Sequence, residues 1–278
     1  MSIQISIRET QSIVTKSKLP DADYVINPYL GCPHGCIYCY AEFMKRFSQH
    51  SEPWGSFLEV KQFAGRLDCH KYLNTETILI GSVTDAYNPF EGKYRVTRSL
   101  LSQLVDCVAR IEILTKSSLV CRDIDLLTKM PNVAVGISMN TTDDSFRREI
   151  EPFAVSVKDR IETLQILKKA GIATYLFVAP FFPGITDYQN LLNATAEYID
   201  YACFENLNLR GSYRGRVLSM IAQEHTSKYS LYESIYYNKD QAYWTILEKE
   251  ITQYCSDLQI PCRMYFHHGA FGKQTERK

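Results

Sequence analysis

Residues 31–40 read GCPHGCIYCY. Cys32, Cys36 and Cys39 fall there with the spacing Cys-x3-Cys-x2-Cys, in a chain of otherwise ordinary composition. Four chemistries crowd thiols in this way: a disulfide knot, a zinc site, a redox pair, or an iron–sulfur cluster with one iron left open. A structural zinc site needs four ligands and commonly pairs two short Cys-x-x-Cys units, and the chain carries no second such unit. A thioredoxin-like pair would use Cys36 and Cys39 and leave Cys32 idle. A cubane held by three thiolates on one loop engages all three and leaves its fourth iron for an outside ligand. Gly31, Pro33 and Gly35 permit a tight loop whose amides can face the sulfurs, and the ring of Tyr38 can shield a cluster.

Working outward, short apolar runs rich in β-branched and aromatic residues predict strands at Tyr24–Ile26, Thr77–Ile80, 111–114, 133–137, 174–178 and 203–207. Helical spacing fills the intervals. VTRSLLSQLVDCVA (96–109) has apolar residues three and four apart, 157–170 repeats the pattern before a Gly171 stop, and 187–201 is similar. Alternating strands and helices imply a parallel sheet with right-handed crossovers. Six such units predict an α/β fold, a partial (β/α)6 barrel of TIM-like type, with function at the C-terminal ends of the strands. GCPHGC, SVTD, TKSS, SMN, APFFPGITD and NLNLRG each follow a predicted strand. The expected division is a barrel over residues 1–217, with its cluster loop at 31–40. A mostly helical extension over 218–278, with a last strand near 263–267, packs on the barrel and is not a separate domain.

At 278 residues the chain can bury a large core. Its formal net charge is zero, so no global field draws it to nucleic acid or to anionic membrane. No apolar stretch is long enough to span a bilayer, and the N-terminus has no signal-like apolar core. The nine cysteines are an odd number, scattered over a core that needs no staples. That pattern points to a reducing cytoplasm, where clustered cysteines more often hold metal than form disulfides.

The Cys-x3-Cys-x2-Cys triplet, with an aromatic before its last cysteine, resembles the signature of radical S-adenosylmethionine enzymes. The likeness extends over roughly residues 24–210. NPYLGCPHGCIYCYAEF, ILIGSVTDAYNPFEGKYRVTR, ILTKSSLVCRDIDLL, VAVGISMNTTDD and YLFVAPFFPGITD look like the spore photoproduct lyase-like group, often labelled DNA repair photolyases. The resemblance implies a [4Fe–4S] cluster on Cys32, Cys36 and Cys39, with S-adenosylmethionine chelating the open iron. One electron then releases a 5′-deoxyadenosyl radical, which abstracts hydrogen from a substrate. It implies that Tyr38 and Tyr40 touch cofactor, and that Thr84 and Asp85 meet the methionine ammonium or ribose. It further implies that Lys116 pairs with the methionine carboxylate, that Ser138 and Asn140 contact ribose, and that Ala179 offers a backbone contact to adenine.

One position departs from the group. Photoproduct lyases place a hydrogen-donating cysteine three residues before the strand-two aspartate, where this chain has Ser82. The O–H bond of serine is too strong for that step, which tells against photoproduct repair. The implied partners are a low-potential electron donor of flavodoxin or ferredoxin type and a nucleic acid. A second radical enzyme is a further implied partner, since a subset of the group occurs as adjacent gene pairs. Peptide or protein modification, activation of a partner protein, and a non-catalytic zinc- or cluster-bearing module stay open as other readings.

Asn208, Arg210, Arg214 and Arg216 follow the sixth predicted strand and are candidate substrate contacts, suited to phosphates. Of the remaining cysteines, Cys121, just beyond TKSSLV, is the candidate hydrogen donor, and Cys203 reads as core. His34 reads as exposed. His267 and His268 read as a turn near the cavity.

Overall fold

The computed structural model describes residues 3–266. Its strands are β1 (Gln4–Thr10), β2 (Val14–Lys16), β3 (Tyr24–Ile26), β4 (Tyr29–Leu30), β5 (Phe57–Phe63), β6 (Thr77–Ile80), β7 (Arg110–Thr115), β8 (Val133–Ser138), β9 (Ala173–Phe181), β10 (Tyr201–Asn206) and β11 (Cys262–Tyr265). Eight of them form one sheet in the order β11-β10-β9-β8-β7-β6-β3-β2. From β3 to β11 every neighbour pair is parallel, and only β2 runs antiparallel, along β3. The six predicted strands are β3 and β6–β10, in the predicted order. The expected last strand is β11, while the histidines after it lie outside the described residues.

The sheet curls on itself. Asp21, in the loop before β3, hydrogen-bonds the hydroxyl of Tyr265 on β11 and lies 3.9 Å from the Arg263 guanidinium. These contacts span the two edges of an incomplete barrel without any backbone pairing between them. Inside, Tyr175 and Tyr201 stack across adjacent strands, with ring centroids 4.7 Å apart. Gly136 makes room for them, because a Cβ there would overlap the Tyr175 ring. The main apolar core lies outside the sheet, between it and the crossover helices.

Helix boundaries follow local chemistry. Val157–Lys169 opens on a Ser156–Asp159 capping box and stops at Gly171, whose φ is +76. Asp187 caps Tyr188–Thr195, and a short 3₁₀ turn carries the chain toward β10, so this helix is shorter than its apolar spacing predicts. The helix predicted over 96–109 ends at Leu104, because the chain must turn at Cys107 and Ala109 to reach β7. Helix Arg214–Glu224 leads the chain from the end of β10 into the helices of the C-terminal part. No helix among the described residues is long and apolar enough to cross a membrane.

A second sheet, β1-β5-β4, has no counterpart among the predicted strands. β4 has only two residues and β1 is largely exposed, so neither carries an apolar run. β5, FLEVKQF, does show period-two alternation at Leu58 and Val60. This sheet seats the start of the cysteine loop. Gly31 sits directly over the Phe57 carbonyl with φ +90, a left-handed conformation and a close approach that only glycine accommodates.

Candidate active site

The cysteine loop is tied down from three sides. The Thr84 hydroxyl donates to the Gly31 carbonyl at 2.6 Å. Inside the loop, His34 is almost fully buried, which corrects the exposed position expected for it. Its Nε2 lies 3.0 Å from the Asp85 carboxylate and its Nδ1 lies 3.4 Å from the Phe153 carbonyl, so both ring nitrogens face acceptors. From another side, the Ile37 amide donates to Ile150 and the Phe153 amide to His34. From a third, the Trp54 indole N–H donates to Cys39 Sγ at 3.2 Å.

Asp85 is therefore fully engaged. Its two oxygens receive the Tyr87 amide at 2.9 Å, the Thr115 hydroxyl at 2.6 Å, the Lys116 amide at 2.8 Å, and His34. A carboxylate has about four acceptor sites, and all are taken. Burial alone would raise the pKa of Asp85, yet His34 and these donors hold it well below the usual carboxylate range. The position read from sequence as a cofactor contact borders the cavity and also clasps the end of β6 to the cysteine loop. Its neighbour Thr84 has the same task.

The three thiols line one end of a cavity of about 330 Å³. Burial pushes the Cys32 thiol up to about 12, with the charges of Asp85 and Cys39 adding to the effect. Burial also raises the Cys36 thiol well above its ordinary value, with Glu151 adding and Lys116 opposing. Cys39 is raised by burial against the Trp54 bond. Backbone amides aim at sulfur here: His34 and Asp85 toward Cys32, and Ala41 toward Cys39. Among the described residues no three His, Cys, Asp or Glu side chains converge on a single-ion site. A cubane asks for something else, namely thiolates on separate corners and N–H donors to sulfur. The residues present fit that group.

Beside Cys36 lies a buried network that the sequence did not reveal. Glu151, fully buried, accepts from the Tyr38 hydroxyl and from Arg160, itself almost wholly buried. Asn140 Nδ2 lies 3.4 Å from both the Tyr38 hydroxyl and Glu151. Lys116 Nζ donates to Ser138 Oγ at 2.9 Å and stands 3.9 Å from Glu151. Burial opposes the charges on both Glu151 and Lys116, but Arg160 and then Lys116 hold the carboxylate low, and Glu151 holds the ammonium high. Glu151 caps the short helix Asp144–Ile150, at a position where a glutamate is ordinarily solvated, so nothing in the sequence marked it out.

Of the expected cofactor residues, Tyr38, Tyr40, Thr84, Asp85, Lys116, Ser138 and Ala179 line the cavity, whereas Asn140 stands behind Tyr38. Tyr40 is at the mouth, exposed, with its hydroxyl on the Ser82 carbonyl. The deeper wall is aromatic, formed by Tyr175, Phe177, Tyr201 and Tyr265, with Glu112 and Arg263 among them. Cys203 is buried in a small core cluster with Ala134 and Tyr175, as its core reading expects, and it also borders this space from β10. Cys121 does not reach the cavity. It packs into the outer core, with a hydrogen bond involving Thr163. Asn208 lines the mouth, but Arg210, Arg214 and Arg216 lie outside it. Arg216 pairs with Glu42 at 2.6 Å, and Arg214 covers the Tyr237 ring.

Residues 26–192 match the radical SAM superfamily. The chain is 37% identical over 210 residues to an uncharacterised protein of Methanocaldococcus jannaschii, covering 76% of this chain and 80% of that one. It is 28% identical over 168 residues to the radical SAM Nα-GlyT isomerase of Pseudomonas phage M6, covering 59% of this chain and 34% of that one. Its fold resembles a spore photoproduct lyase variant with bound AdoMet and dinucleoside spore photoproduct, with a TM-score of 0.63 and 18% identity. That match covers 94% of this chain and 81% of the other. With its cysteine loop, strand order and matched residues taken together, the chain belongs to the radical SAM superfamily.

Proposed function

We propose that this protein is a radical enzyme that holds a [4Fe–4S] cluster on Cys32, Cys36 and Cys39 and acts on a nucleoside unit of a nucleic acid. The carrying observation is the placement of three half-buried thiols, two of them facing backbone amides, at one end of a cavity whose deeper wall is largely aromatic. When bound, the cluster with S-adenosylmethionine supplies a single low-potential electron and a 5′-deoxyadenosyl radical for hydrogen abstraction.

The chain's own residues then do the following. Thr84 and Asp85 fix the cysteine loop at the cavity wall. Lys116, charged beside Glu151, faces the cavity where a carboxylate would sit. Ser138 and the Ala179 backbone offer hydrogen bonds for a ribose and a base. The rings of Tyr175, Phe177, Tyr201 and Tyr265 offer flat apolar surface and exclude water from a reactive carbon. The nucleic-acid reading is supported by the names of two similar proteins, an isomerase acting on Nα-GlyT and a lyase holding a dinucleoside. Ser82, bonded to Asn27, stands where a photoproduct lyase would carry its hydrogen-donating thiol, so the substrate proposed is not the spore photoproduct. Members of this superfamily need a one-electron donor, and a flavodoxin or ferredoxin fits that requirement.

The test is anaerobic reconstitution, followed by deuterium transfer into 5′-deoxyadenosine from labelled DNA, RNA and peptide pools. Transfer from a nucleic-acid pool supports the reading, and transfer from peptides alone overturns it. Cys36→Ala should abolish iron loading, counted per chain, while leaving the circular dichroism of the barrel unchanged.

A further inference from the structure

The exposed aromatic side chains among the described residues are Tyr40, Phe43, Phe47, Phe153 and Tyr237. Tyr40, Phe43, Phe47 and Phe153 lie at or beside the cysteine loop. Tyr40, Phe43 and Phe47 follow Cys39 on the 3₁₀ helix Tyr40–Phe47. The Phe153 amide is bonded to His34. Tyr237 carries the guanidinium of Arg214, and two residues on Arg216 reaches back to Glu42 of the same 3₁₀ helix. Apolar rings scattered singly over a surface need no explanation, but Tyr40, Phe43 and Phe47 exposed together on one short helix do.

This face also holds cations. The Arg46 guanidinium lies 5.3 Å from the Phe43 ring centroid and 4.7 Å from that of Phe47. Among the described residues no carboxylate lies within ion-pair distance of it. Arg8 donates to the Phe47 carbonyl at 3.2 Å and pairs with Glu59, half exposed. The Arg8 and Arg216 side chains are about half exposed, so each guanidinium keeps its carboxylate and still turns N–H groups to solvent, where a phosphate can accept them. The face is continuous with the cavity, since Tyr40 lines its mouth and its ring lies near-parallel to Phe43, centroids 6.4 Å apart.

We propose that this face, centred on Phe43, Arg46 and Phe47, is a docking platform for single-stranded nucleic acid that leads one nucleotide past Tyr40 into the cavity. Exposed rings interleaved with arginines are what unpaired bases and a phosphate chain require. Bases stack on the rings whatever their sequence, and the guanidiniums follow the backbone. A duplex keeps its bases stacked on each other and would meet only the arginines. The inference rests on the nucleic-acid reading above and adds to it where, and in what form, the polymer binds.

The test uses the reconstituted holoprotein and a fluorescent twelve-residue oligodeoxythymidylate, read by anisotropy at several salt concentrations. The unmodified protein should bind it, and bind a duplex of equal length more weakly. Phe43→Ala with Phe47→Ala should weaken single-strand binding at least tenfold. Arg46→Ala should weaken it and reduce the slope of log affinity against log salt by about one unit. Ile246→Ala, on a remote exposed helix position, should bind as the unmodified protein does. If the unmodified protein binds neither strand nor duplex, the nucleic-acid reading falls and the platform with it. If it binds but the ring and arginine variants bind equally well, only the platform is overturned. The platform is overturned too if those variants keep oligonucleotide affinity and instead slow cofactor cleavage driven by an acidic flavodoxin but not by dithionite. The face would then belong to the electron donor.

Discussion

Asp85 shows how far one side chain's partners can change its meaning. Read alone, a carboxylate after a strand suits an ammonium or a ribose. With four donors already on it, it is the fastening of the cysteine loop. Asp85→Asn replaces an acceptor with an NH₂ group facing donors, so it should destabilise the protein by about 1–3 kcal/mol, the cost of leaving buried groups unpaired. Urea unfolding would measure this, and iron retained after gel filtration should fall in parallel. Full retention would mean the loop holds its shape without the clasp. Lys116 faces the cavity with its ammonium held charged by Glu151, which suits the carboxylate partner proposed for it. Lys116→Ala should weaken S-adenosylmethionine binding by about 1.5–3 kcal/mol, the range for a hydrogen bond to a charged group. An unchanged titration isotherm would remove Lys116 from the binding site.

Elements are joined here by buried charge as well as by apolar packing. Asp123 is fully buried and receives Arg98 at 2.7 Å, Arg122 at 2.8 Å and the Tyr87 hydroxyl at 3.1 Å. Arg122 also reaches the buried Glu91 at 2.7 Å. The helix after β6 is thereby tied to the turn after β7. Burial would raise the pKa of Asp123, but the two arginines overcome it and hold the carboxyl low. A group depressed in the folded state contributes stability above its unfolded pKa, near 3.9, and loses it as pH falls through the folded value. Asp123→Asn should therefore cost about 3–5 kcal/mol at neutral pH, as breaking one side of a buried pair does. That difference should shrink below about pH 4. Denaturant melts of both proteins across pH 2.5–7 would check it, and a difference independent of pH would rule the ionised network out as its source.

The barrel as a unit is closed at its open edge by side chains, not by a ladder. Asp21 joins the loop before β3 to Tyr265 and Arg263 on β11. Asp21→Ala should speed amide hydrogen exchange in β11, residues Cys262–Tyr265, while β8 and β9, paired on both sides, keep their protection. Uniform loss of protection would show instead that the edge contact supports the entire sheet.

The cysteine loop, the six parallel strands and the strand-end position of the polar motifs were legible along the chain. They depend on spacing and on local period, which a linear reading contains. Folding alone assigned the partners. Asp85 meets His34 across 51 positions and Glu151 meets Tyr38 across 113, separations no local pattern encodes. The two cysteines make the same point. Cys203 is core as expected but borders the cavity as well, whereas Cys121, the candidate hydrogen donor, packs into the outer core. Parallel strands covered on both faces are apolar on both faces, so the chain does not record which side looks inward, and only the curl of the sheet settles it.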